Sequence, residues 1–178
     1  GPNGTIAAVD ALATCLFDFS LLLYGTGRGE EAEQKLQQAI DYFKELAESH
    51  QAEHRFRFAL ANARMTQGQM IGRRGDAEKA SGVLQQAIRE FEELGEADPD
   101  HPDYVEGRAD GRLALAEMLR TLGRDKDEVD AYDQAITDYK SLIRAIPDAP
   151  RFRARRAITR TDKGQLLHEL DLNPRAAS

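Results

Sequence analysis

The chain has 178 residues, enough for one or two domains with a sizeable core, and its 31 acidic against 24 basic side chains leave a net charge of −7. That balance argues against a broad nucleic-acid or anionic-membrane surface, since both need a basic footprint. Abundant Ala, Leu, Glu, Gln and Arg, with 6 Pro and no Trp, favour helix throughout, and the single cysteine, Cys15, excludes an internal disulfide.

In chain order, the opening GPNG lacks a Met and reads as an expression-tag remnant over residues 1–4, ahead of one repeat domain over 5–178. The first predicted helix, A1, covers about 6–25; its run ALATCLF makes Cys15 an expected buried thiol. No uninterrupted stretch of 18 apolar residues and no secretory signal occur, so a cytoplasmic location without membrane contact is expected. Helix B1 follows, with Leu36, Ala39, Ile40, Phe43 and Leu46 at i, i+3, i+4, i+7 and i+10, an amphipathic stripe opposite a charged face. Helix A2 is expected at 54–73, and helix B2 repeats the stripe with Leu84, Ala87, Ile88, Phe91 and Leu94. The connector DPDHPDY then leads to A3 at 103–121, and B3 carries Tyr132, Ala135, Ile136, Tyr139 and Leu142. IPDAPRF leads to A4 at 151–170; in both connectors proline ends one helix and opens the next turn.

The order A1-B1-A2-B2-A3-B3-A4 is an internal repeat. LQQAI stands at 36–40 and again at 84–88, 48 positions on, and YDQAI at 132–136 keeps the phase. The A helices align through Ala13, Ala61, Ala109 and Ala157, through the small residues Ser20, Gly68, Ala116 and Gly164, and through Leu23, Ile71, Leu119 and Leu167. Gly27, Gly75 and Gly123 stand where a left-handed cap would close each A helix, and Asp171 breaks that column. One hairpin cannot cover its own apolar stripe, whereas stacked hairpins bury a shared core, and small residues let helix axes approach. Copies of about 5–52, 53–100 and 101–148 with a closing helix at 149–172 follow, the closing helix acting as a cap whose outer face Thr159 and Lys163 keep polar.

Gly68, Ile71, Ala80, Leu84, Ala87 and Pro99, with their counterparts in the other copies, resemble the tetratricopeptide repeat over roughly residues 6–172. The usual period is ~34; here both helices are longer, a variant similar to repeats appended to bacterial serine/threonine kinases and other signalling proteins. Two departures stand out: Glu128 replaces the early Ala of helix B, and Arg64, Arg112 and Arg160 occupy a position usually apolar, held here only by Leu16. An arginine there must snorkel or find a carboxylate.

The resemblance implies an all-α, right-handed superhelical solenoid of about seven helices, with helix A lining a concave groove that takes a peptide. The groove positions it carries over are Thr14, Phe17, Leu21 and Tyr24 in the first copy and Asn62, Met65 and Gln69 in the second. The third supplies Asp110, Leu113 and Glu117, and the last Thr161, Gln165 and His168. Phe17, Leu21, Met65 and Leu113 make an expected apolar track. Relatives that grip a chaperone's C-terminal carboxylate use Lys, Asn and Arg where this chain has Phe17, Leu21, Thr66, Asp110 and Ala114, so an apolar or mixed peptide is expected instead.

Chemistry finds little support. His50 and His54 are four apart but lack a third Cys or His ligand nearby, and all four histidines read as surface residues. Paired carboxylates such as Glu92 with Glu93 lie on charged helix faces rather than in two contrasting environments, and no phosphate-cradling glycine loop is present. Neither an enzyme nor a cofactor is therefore expected. Arg151, Arg153, Arg155, Arg156 and Arg160 form a basic patch that fits nucleic acid or a phospho-ligand, or ion pairs with acids of the preceding helix B3 and its neighbours. The expected function is a protein-interaction module of a larger bacterial protein, with self-association through the solenoid ends, or a regulatory region of a kinase, as the alternatives.

Overall fold

A computed structural model describes residues 2–99 and 101–172. Seven helices follow one another: α1 (Pro2–Gly25), α2 (Gly29–Ser49), α3 (His54–Arg73), α4 (Ala77–Ala97), α5 (Pro102–Thr121), α6 (Asp125–Ala145) and α7 (Pro150–Leu172). Among the described residues there is no strand. The expected helices stand where the periodicity placed them, except that α1 begins at Pro2. Proline suits a first helical position because its missing N–H has no intrahelical partner to lose. Pro174, which from the sequence is expected to stop the last helix, lies outside the described residues.

Three glycines end the odd-numbered helices as anticipated. Gly27, Gly75 and Gly123 have φ of 81°, 94° and 66°, values that cost a Cβ-bearing residue about 1–2 kcal/mol. The next N–H closes the cap each time, Arg28 donating to Leu23 O at 2.9 Å and Arg124 to Leu119 O at 2.9 Å. Pro102 and Pro150 open α5 and α7, and Asp76 caps α4, its carboxylate accepting from the Lys79 N–H at 3.1 Å.

Each helix packs on the next, and neighbours run antiparallel: Arg57 near the start of α3 pairs with Glu93 near the end of α4. The repeated LQQAI shows its purpose here. A Cβ at Gly68 would stand 2.7 Å from Leu84 Cγ, so the small column is the socket that receives the leucine of the stripe. Leu36, Ala39, Ile40, Phe43 and Leu46 of α2 are all buried, as are Leu84, Ala87, Ile88, Phe91 and Leu94 of α4. Alternate helices also touch along one side: Arg55 of α3 reaches Asp10 of α1 at 2.6 Å, and Phe58 of α3 stacks obliquely on Tyr104 of α5 at 5.5 Å.

The two ends depart from expectation. Thr159 and Lys163 do not face outward on α7: Thr159 is buried and Lys163 pairs with Asp133 of α6 at 2.5 Å. They share a stripe with Leu166, which packs on α6, so the outer face of α7 instead exposes Ile158 and Leu167. Ala157 and Gly164 are exposed, since among the described residues no helix beyond α7 covers their columns. At the other end Cys15 is exposed rather than buried. Its counterparts Ala63 and Gly111 are buried because a helix packs on α3 and α5 from the N-terminal side, whereas among the described residues no helix does so on α1.

Candidate functional site

The arginines of the odd helices find the carboxylates they need. Arg64 of α3 pairs with Glu90 of α4, and Arg112 of α5 pairs with Asp138 of α6 at 2.5 Å. Each acid lies 26 positions beyond its arginine, so the pairs are repeats of one another; the first copy has Leu16 and Tyr42 at the same two places, both packed on the first core cluster. Asp138 is only 4% exposed and also takes Arg108 at 2.7 Å, while Arg112 reaches Glu92 at 2.7 Å. Arg160, whose acid would stand on a further helix, forms no ion pair among the described residues. Burial pulls the Arg64 guanidinium below its ordinary pKa, opposed by the charge of Glu48.

A second ion pair, with a buried acid and an exposed arginine, is peculiar to the third copy. Glu128 is fully buried where the other copies have Ala32 and Ala80, and it accepts from Arg120 Nε at 2.9 Å. Arg120 also donates to the Tyr132 hydroxyl at 2.8 Å, and burial pushes that phenol up to about 12. The other oxygen of Glu128 has no hydrogen-bond partner.

The carried-over groove positions lie along the side where α1, α3, α5 and α7 meet. Thr14, Leu21, Gln69, Glu117, Thr161, Gln165 and His168 are exposed, whereas Phe17, Tyr24, Asn62, Met65, Asp110 and Leu113 are half-buried. Of the expected apolar track only Leu21 is open; Phe17, Met65 and Leu113 lean into core clusters. Asp110 is already engaged, accepting from the Tyr139 hydroxyl at 2.6 Å and pairing with Arg155. Burial and that carboxylate raise the Tyr139 phenol.

The same contact dissolves much of the basic patch. Arg155 pairs with Asp110 and Arg151 with Glu106 at 3.1 Å, both acids on α5 rather than on α6, because alternate helices share this side. Arg153, Arg156 and Arg160 form no ion pair among the described residues. Oligonucleotides should therefore show no measurable binding; a log affinity falling with log salt at a slope of about −2, the value for three phosphates on a single strand, would restore the patch as a site.

The histidines are less superficial than expected. His50 sits edge-on to Phe56 at 5.8 Å, with Nδ1 3.2 Å from Leu46 O, and His101 stacks on Tyr104 at 4.0 Å, so both close helix junctions. No cluster of three metal-ligating side chains occurs among the described residues.

Two features escaped the sequence reading. A cleft of about 530 Å³ between α2, α3 and α4 is lined by Lys44, Glu48, Arg64, Arg89 and Glu90 among others, with its charges largely paired across it. The second is the outward face of α1. Over Thr5–Gly25 this helix is long and apolar enough to cross a membrane, with mean hydropathy 1.9, and it exposes Leu12, Phe19 and Leu22. The repeat columns held the signal for it, since the same positions in α3 and α5 are the ones a preceding helix covers. No family model and no curated protein matches the chain.

Proposed function

We propose that the chain is a non-catalytic protein-interaction module, a right-handed tetratricopeptide-like solenoid that receives an extended peptide or partner segment along α1, α3, α5 and α7, within a larger bacterial signalling protein of the cytoplasm. One observation carries the reading. Leu21, Gln69, Glu117 and Gln165 are repeat-equivalent, one on each odd-numbered helix, and all four are exposed in a single row. A preformed row of this kind binds with little ordering cost. Its mixed apolar, amide and acidic chemistry suits a partner with an apolar anchor near Leu21 and basic groups near Glu117.

The test is a displayed-peptide selection against the chain, followed by titration of the recovered peptides against a Leu21→Glu, Gln69→Lys, Glu117→Lys variant. These exposed positions should leave the helical signal unchanged and weaken binding by at least about tenfold, the loss of 1.4 kcal/mol. Equal affinity for parent and variant would move the binding surface elsewhere. Ile158 and Leu167, left open on α7, favour a second reading, assembly of copies through that end, which a mass rising with concentration would support.

A further inference from the structure

We propose that the outward face of α1 is the seat of one further amphipathic helix, antiparallel to α1 and carrying the apolar stripe of α2 with a bulkier apolar residue at the position of Gln37. This surface is separate from the row of Leu21, Gln69, Glu117 and Gln165.

The molecule itself shows what covers such a face. Leu12, Cys15, Phe19 and Leu22 stand one repeat before Leu60, Ala63, Gln67 and Met70 of α3. Of these, Leu60, Ala63 and Met70 are buried in one cluster with Leu36, Ala39, Ile40 and Phe43 of α2. One repeat later the seat recurs, with Gly107 under the Phe91 ring and Gly111 under Ile88 of α4. Twice, then, this face takes a helix with the Leu-Ala-Ile-aromatic stripe. On α1 it is bare: Leu12 is 45% exposed, Phe19 41% and Leu22 62%.

The rim of the seat sets the specificity. On α3, Gln67 donates to Gln37 of α2 at 2.9 Å, and Arg74 pairs with Glu33 at 2.5 Å. On α1 the corresponding residues are Phe19 and Thr26, so the occupant needs an apolar side chain opposite Phe19 and no acid opposite Thr26. A second copy does not meet this description. All three of its even-numbered helices are already covered by the odd-numbered helices on either side, and docking α7 on α1 would bring together two faces that both lack the stripe. A lipid occupant would have to bury Asp18, exposed beside the stripe, and the Asp10–Arg55 pair at its edge.

Cys15, alone of its kind in the chain, reports occupancy directly because it lies in the middle of the stripe. The probe is a synthetic peptide of residues 28–50 carrying Gln37→Leu and Glu33→Ala, and the readout is the rate of Cys15 alkylation by N-ethylmaleimide in the full 178-residue chain. At about ten times its Kd the peptide should slow alkylation about tenfold, and the unsubstituted peptide should bind more weakly. Leu22→Asp in the chain should weaken protection by at least about tenfold, from the lost burial of one leucine, with an unchanged melting temperature. A peptide broken by Leu36→Asp and Ile40→Asp should not protect. The proposal is overturned by three outcomes: no protection at any peptide concentration; protection that grows with protein concentration alone, which assigns the face to a second copy; or protection by equal-part phosphatidylcholine and phosphatidylglycerol vesicles where the peptide gives none, which assigns it to a membrane.

Discussion

Replacing Phe91 by alanine should cost about 3–5 kcal/mol. Its ring is fully buried, meets Phe58 edge-on at 6.0 Å and lies directly over Gly107 of α5. A Cβ at Gly107 would stand 2.5 Å from the nearest ring carbon, so Gly107→Ala should also destabilise, by about 1–3 kcal/mol of overpacking. The two positions oppose one another across α4 and α5, and their effects should not add. Phe91→Leu removes the ring edge that the new methyl would strike, so Gly107→Ala should cost less in that background than in the parent. Urea unfolding of the four proteins in the cycle measures this; additive losses would mean that the helices separate to admit the methyl and that the close approach is not set by the ring.

The second large effect concerns the charges between α5 and α6. Asp138→Ala should lower stability by about 3–5 kcal/mol, since it leaves Arg112, 12% exposed, and Arg108 facing one another with their shared carboxylate gone. In a chain of this length that is a fall in melting temperature of about 6–20 °C. The exchange Arg112→Leu with Asp138→Tyr, which installs the first copy's Leu16 and Tyr42, should restore most of the loss, because an apolar pair of suitable volume replaces a buried ion pair without leaving a charge behind. Thermal unfolding followed by circular dichroism decides it. A double variant as unstable as Asp138→Ala would show that Arg108 needs the carboxylate as much as Arg112 does.

Much of this architecture was legible from spacing alone. The glycine after α1, α3 and α5, the proline opening α5 and α7, and the stripe of Leu36, Ala39, Ile40, Phe43 and Leu46 are local signals, and local signals place helices. The arginine column also announced a need for acids. Glu90 and Asp138 could have been found by asking which carboxylates recur at the same offset, since Leu16 and Tyr42 lose their charges together. What could not be read was whether a face is covered. Cys15 and Ala63 hold the same repeat position, yet one is exposed and the other buried, because a helix lies over Ala63 and none of the described helices lies over Cys15. The groove suffered from the same gap. Phe17, Met65 and Leu113 looked like an open track, yet in helices of about 20 residues they reach the layer below, and only Leu21 remains outside.

The ion pairs also bear on how the chain avoids misassembly. Two stretches of identical LQQAI invite α2 and α4 to trade places, and apolar sockets of the same shape would accept either. Charge breaks the tie. With α4 in the place of α2 against α1, Glu90 would face Leu16; with α2 in the place of α4 against α3, Arg64 would face Tyr42, and each error buries a lone charge. The third pair carries its own mark: α6 beside α3 would set Glu128 against Gly72 with no Arg120 to meet it. An unpaired buried charge costs several kcal/mol, comparable with the packing that a wrong pairing would gain. The departures from the repeat thus act as a lock and key for each hairpin, rejecting during folding the partners that the repeated letters would otherwise permit.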